Sequence, residues 1–198
     1  MSKYKDLIVD GSVVPFAEQS RNNIKVSFSD EIINEYIPIW NKVQGAKGIK
    51  WLALIMAQKE GFEEGTRAHT HNNPGNIGNT DNGANKTFDT LQEGIEFQIK
   101  FLTNIAKGLN RNFLLNTTIN LKPYYSAEIA KNQKTYQLDP YCPGYKFVYT
   151  GQLDQFIKIY ATGPRQKNTY LSLIRSYFKN LGYSVTDKTT LKELLELK

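Results

Sequence analysis

The sequence predicts a mainly α, single-domain fold, and three features predict it. Residues 49–56 are apolar nearly all round, the mark of a buried helix. Segments 29–40 and 90–106 repeat apolar residues at steps of three and four, as amphipathic helices do. Gly61, Gly108 and Gly182 fall where the apolar patterns stop, the usual place for a helix-ending glycine. The 198 residues suffice for one core. With 40% hydrophobic and 22% charged residues the chain reads as globular rather than disordered. No internal repeat and no linker-like boundary interrupts it.

Residues 1–28 read as an N-terminal arm packed on the domain. It is irregular or short-stranded, with apolar pieces at Leu7-Ile8-Val9 and Val13-Val14. Residues 29–198 form the helical domain. Ser29 or Asp30 caps a first helix whose Ile32, Ile33, Tyr36, Ile37 and Trp40 share one side. Pro38 kinks or shortens it. Gly45 and Gly48 separate it from the central helix, 49–60. There Ile49, Leu52, Ala53, Met56 and Glu60 share a face, so Glu60 is expected to point in a buried direction. A long loop, 61–89, follows; a small irregular or β element is expected in it.

Thr90-Leu91-Gln92-Glu93 spells a capping box. It opens a helix with Leu91, Ile95, Ile99, Leu102 and Ala106 on one face, ended by Lys107-Gly108. Residues 109–150 are rich in aromatics and proline, and a short helix near 126–133 and an aromatic loop are expected. A helix over 152–160 follows. Asn168 is expected to cap the next, with Leu171, Ile174, Tyr177, Phe178 and Leu181 inside it. A second capping box, Thr190-Leu191-Lys192-Glu193, opens a short last helix.

The net charge of +6 suits an anionic partner: nucleic acid, a membrane surface or a cell-wall polymer. It serves plain solubility equally well. The absence of a dense basic run argues against a nucleic-acid binder. Cys142 is the only cysteine, so no intrachain disulfide forms. No apolar run reaches the length of a membrane span. Residues 1–10 hold no signal-peptide core, so delivery by another route is expected if the protein acts outside the cell that makes it.

Glu60 carries the most chemistry. A carboxylate at the end of a buried helix costs free energy unless something uses it. Glycosidic cleavage needs a proton delivered to the leaving oxygen. Burial beside Met56 and the electronegative helix end both favour the protonated glutamic acid that could deliver it. An ion pair from Glu60 to Lys59 or Arg67 is the plain alternative. Asn72-Asn73-Pro74-Gly75-Asn76-Ile77-Gly78 follows. Amide side chains donate and accept, which suits N-acetyl and hydroxyl groups, and Pro74-Gly75 fixes a turn. Asn73, Gly75 and Asn76 are therefore candidate substrate-binding residues, an ordinary asparagine-rich turn being the alternative. Tyrosines at 124–149 could stack on sugar rings, or simply pack. His69 and His71 have no third metal ligand at a convincing spacing, and Cys142 has no indicated partner. No metal and no cofactor are expected.

Glu60-Gly61-Phe62, Thr66, Ala68, Asn73-Pro74-Gly75-Asn76-Ile77-Gly78 and Phe88-x-x-Leu91-x-x-Gly94-Ile95 together resemble the lysozyme-like superfamily. The likeness is narrower to its soluble lytic transglycosylase and goose-type lysozyme branch and to phage muralytic domains. It covers about residues 49–105, and 150–195 weakly. Tyr160-Ala161-Thr162-Gly163-Pro164 is similar to the Tyr-Asn-Ala-Gly segment of lytic transglycosylases.

The resemblance implies a lysozyme-like domain with Glu60 as general acid and base. It implies cleavage between N-acetylmuramic acid and N-acetylglucosamine. Tyr160 would hold the sugar or the developing charge, a core tyrosine being the alternative. The implied partners are peptidoglycan glycan strands and other virion proteins. The implied setting is a phage virion or release at host lysis.

Gly61 stands where those families have serine, and Asn79 stands where a Met-Gln pair is expected. The spacing does not fit the phage-type lysozyme triad, where His69 would have to be aspartate. In the lytic transglycosylases a single glutamate serves as both acid and base, and the muramyl hydroxyl attacks its own anomeric carbon to leave a 1,6-anhydro product. A water held by Asp81 or Asp89 would give hydrolysis instead. A catalytically inactive glycan-binding or virion structural domain is the second reading, and a basic nucleic-acid-binding helical domain the third.

Overall fold

The structure is a computed structural model that describes residues 6–9, 12–15, 28–78, 85–109, 137–138, 146–147, 151–161 and 164–197. It is mainly helical, as the periodicity requires. Strand β1 (Asp6–Val9) pairs antiparallel with β2 (Ser12–Pro15), Leu7 opposite Val14. The two strands coincide with the apolar pieces of the N-terminal arm. A second, two-residue pair joins β3 (Gln137–Leu138) and β4 (Lys146–Phe147). The expected helix over 126–133 and most of the aromatic loop lie outside the described residues.

The first helix is one continuous piece with a change of pitch. Ser29 accepts a hydrogen bond from the Ile32 N–H at 3.3 Å and so acts as its cap. Residues Ile32–Tyr36 wind as a π-helix, and Ile37–Trp40 as α-helix (α1). The wide turn lies directly before Pro38, whose missing N–H and bulky ring disturb an α ladder. Ile32, Tyr36, Ile37 and Trp40 are buried while Pro38 faces solvent.

Helix α2 (Lys47–Lys59) is buried without a break from Gly48 to Ala57. It packs against α4 (Leu91–Ala106), α6 (Pro164–Asn180) and α7 (Leu191–Leu195). Helix α4 also touches α1 and α7, and α5 (Leu153–Tyr160) lies on α6. Trp51 joins these layers, its ring 5.1 Å from Trp40 and 5.5 Å from Tyr177. Each large apolar side chain fully removed from water contributes roughly 1.5–3 kcal/mol. A helix sheathed on every side is therefore a rigid post for whatever stands at its ends.

Three helix ends share one design. At α2 the Phe62 N–H reaches the Ala57 carbonyl at 3.1 Å and the Gly61 N–H reaches Gln58 at 3.2 Å. This is the Schellman motif, with Gly61 at φ +70° and Phe62 buried behind it. Leu109 with Gly108 and Tyr183 with Gly182 repeat the pattern at α4 and α6.

Two expected caps differ from the sequence pattern. Thr90 does accept from the Glu93 N–H, but the Glu93 carboxylate reaches the Asp89 N–H instead of Thr90. The reciprocal box is complete only at Thr190 and Glu193. Asn168 is not a cap. Helix α6 already begins at Pro164, a residue whose fixed φ suits a first helical turn, so Asn168 lies inside it.

Among its described residues the 61–89 loop contains no strand. Its regular piece is the single turn α3 (Arg67–Thr70), capped by Thr66. Helix α4 crosses the loop closely: a Cβ on Gly94 would stand 1.8 Å from the Asn72 carbonyl oxygen.

Candidate functional site

Glu60 stands one residue past α2, where the Gly61 turn bends the chain away. It is half-buried rather than fully buried. Its position as the helix cap explains the difference: the carboxylate leaves the post instead of lying along its inner face. Its two oxygens have different partners. The Asn76 amide donates to Oε2 at 3.2 Å. The Tyr170 hydroxyl donates to Oε1. Neither Lys59 nor Arg67 forms an ion pair with it among the described residues. Lys59 instead places its ammonium 5.1 Å over the Tyr170 ring.

Asn76 reaches Glu60 through a left-handed backbone turn, φ +48°, one of the conformations that asparagine tolerates better than most residues. Asn72 takes a similar φ of +50°. The loop between them is tied down by Asn73. Its Nδ2 donates to the carbonyls of Ile77 and Lys86, both at 3.0 Å, and its Oδ1 accepts from the Ile77 N–H at 3.1 Å. Asn73 is 1% exposed and both its donors are occupied, so it braces the loop. Gly75 is also structural in its surroundings. A Cβ there would lie 2.9 Å from Gln98 Nε2. Gln98 itself is fully buried, bonded to the Ala53 carbonyl and to the Tyr36 hydroxyl. Of the three candidates in the asparagine turn, only Asn76 contacts Glu60. Asn73 and Gly75 fix where Asn76 stands.

Tyr160 ends α5 beside this cluster, its ring 6.1 Å from that of Tyr170 in an edge-on arrangement. Its hydroxyl is buried and lacks a hydrogen-bond partner among the described residues. Burial pushes the Tyr160 hydroxyl well above its ordinary pKa, and the nearby Glu60 charge adds to this. Tyr170 is raised too, by burial first, then by Tyr160 and Glu60. Both phenols therefore stay neutral at physiological pH. The sequence reading missed Tyr170. The available signal is its place on the apolar stripe that continues through Ile174, Tyr177 and Phe178; Asn168, a good cap in isolation, masks it.

The two histidines face different partners. His69 Nε2 lies 3.1 Å from Glu35. His71 Nδ1 lies 2.7 Å from the Thr87 hydroxyl, and its Nε2 lies 3.3 Å from the Asn85 amide nitrogen. No group of three or more potential ligands for a metal occurs among the described residues. Asp89 is exposed in the segment before α4; Asp81 and Asn79 lie outside the described residues.

Comparison of the chain with protein-family models, with curated proteins and with solved structures finds no match. A carboxyl group clamped at both oxygens has a fixed plane. A phenol donates to a carboxylate and accepts from a carboxylic acid, so the Tyr170 contact persists through a change in the protonation of Glu60. That is what a group alternating between acid and base requires.

Proposed function

We propose that this protein cleaves the glycan strand of peptidoglycan between N-acetylmuramic acid and N-acetylglucosamine, as a lytic transglycosylase or a muramidase. Glu60 acts as general acid on the leaving oxygen and then as base. One observation carries the reading. The Glu60 carboxylate, at the end of a fully packed helix, is gripped at both oxygens by Asn76 and Tyr170, with the Tyr160 ring packed edge-on against Tyr170. The sequence resemblance to lysozyme-like enzymes points the same way. The positive net charge suits an anionic wall.

Purified peptidoglycan incubated with the protein is expected to release soluble fragments. Glu60→Gln is expected to lower the rate by about 10²–10⁴-fold, the usual contribution of a general acid or base. Its thermal unfolding should match wild type. Mass spectrometry of the fragments assigns the reaction: 1,6-anhydro ends mean transglycosylation, reducing ends mean hydrolysis. Wall binding without any cleavage, equal in wild type and variant, would replace the enzyme by an inactive glycan-binding domain.

A further inference from the structure

A cleft of about 560 Å³ opens at the other end of α2. Helix α2 has 13 residues, so this cleft is about 20 Å from Glu60 at 1.5 Å per residue. Val43, Ile99 and Leu195 contribute apolar lining, and Lys42, Lys100 and Lys107 stand around it. The three lysines are exposed, and none has a carboxylate partner within ion-pair distance among the described residues. Glu96 is the one acid in the lining, which leaves three positive charges against one, a net +2. Its Oε1 already accepts from Gln92 at 2.9 Å. Ala46, at the N-cap of α2, also lines the cleft and supplies no side-chain cap. The α2 start therefore adds partial positive charge to this space, while the C-terminal end of α4, at Thr103 and Lys107, adds partial negative charge that offsets it, so the net positive charge rests on the lysines.

Like charges around one concavity repel, and their long stems gain from covering the apolar lining. An anion relieves the repulsion. Three separated ammonium groups match an anion with several charged oxygens better than a single carboxylate. Lysine serves such groups as a point charge. Thr103 supplies a hydroxyl that can donate to the same anion.

We infer that this cleft is a second binding site, for a phosphate-bearing ligand whose apolar part rests against Val43, Ile99 and Leu195. The phosphate site itself does not depend on the function proposed for Glu60; only its wall source rests on that reading. The ligand is either a phosphodiester polymer of the wall or a free phosphorylated molecule.

The test is calorimetric titration of the full chain with inorganic tripolyphosphate, with backbone amide shifts followed in parallel. Binding is expected to weaken with salt and to move the amides of residues 43–48 and 103. It should weaken about tenfold for each of Lys42→Gln, Lys100→Gln and Lys107→Gln. Glu60→Gln should bind as wild type does. Exposed lysines tolerate this change, and unaltered thermal unfolding would verify it. Glycerol phosphate and its phosphodiester polymer then separate the sources. Tighter binding of the polymer per phosphate assigns the wall; equal binding assigns a free phosphorylated molecule. No binding of any probe, binding insensitive to the lysine changes, or loss in Glu60→Gln would overturn the proposal.

Discussion

Tyr170 contributes to Glu60 what no residue adjacent in sequence does. It is 1% exposed, so its hydroxyl is delivered by the core rather than by a loop. Tyr170→Phe removes that oxygen and keeps the ring, so the packing changes little. A hydrogen bond to a charged group is worth about 1.5–3 kcal/mol, so kcat is expected to fall roughly 10–100-fold if the bond orients Glu60 for reaction. Under the function proposed for Glu60, KM should change little, because Tyr170 acts through the carboxylate and need not touch the substrate. Steady-state kinetics on wall fragments would decide, and full activity in Tyr170→Phe would remove this role. Glu60 and Asn76 were legible in the sequence because local signals mark them: a glycine-stopped apolar helix and an asparagine-glycine turn. Tyr170 lies 110 positions from its partner, and no spacing rule spans that distance. The types of Asn73 and Gly75 were legible but their directions were not. Amide and glycine chemistry suits a brace as well as a ligand, and only the contacts with Ile77, Lys86 and Gln98 decide.

Two elements hold the site, the end of α2 and the crossing of α4 over the asparagine turn, and each depends on a glycine for a different reason. Gly61 sits at φ +70° with nothing within 4 Å of an added Cβ. Gly61→Ala meets only the left-handed backbone penalty, about 1–2 kcal/mol. Gly94 lies inside α4, where an added Cβ would fall 1.8 Å from the Asn72 carbonyl. Gly94→Ala must push the helix off the loop and is expected to cost about 3 kcal/mol or more. Urea unfolding of the two variants orders them, and a Gly94→Ala no weaker than Gly61→Ala would refute the tight crossing. The stops at Gly61, Gly108 and Gly182 could be read from the sequence because a glycine after an apolar run has few other uses. The π turn before Pro38 could not be read: proline announces a disturbance but not whether the chain kinks or widens. The start of α6 is ambiguous in the sequence, because Asn168 is a good cap in isolation while Pro164 starts the helix earlier.

On the scale of the whole molecule, tyrosines tie the site to the core. Tyr36, Tyr160, Tyr170 and Tyr177 lie on the π segment, α5 and α6, and burial is the first cause that raises each above the ordinary value of 10.0. The sign of their effect follows. Unfolded, these phenols lose protons near pH 10; folded, they keep them, so above that pH the native state binds more protons than the unfolded state. Stability from these groups is complete below pH 10 and lost as the pH climbs toward their folded values. Each such proton removes about 1.4 kcal/mol per pH unit, and four together up to about 5 kcal/mol. A domain of ordinary stability, about 5–15 kcal/mol, is then consumed within a few units. Tyrosinate absorbance and far-ultraviolet circular dichroism, followed together through alkaline titration, test this. The buried phenols are expected to ionise only as helix is lost, in one transition. Smooth ionisation of all 12 tyrosines near pH 10 with the helix signal intact would contradict it. Because Tyr160 and Tyr170 belong to the same set, the site should keep its neutral phenols for as long as the fold survives. Loss of the proposed activity at high pH should then coincide with unfolding and show no separate step from ionisation of these two phenols.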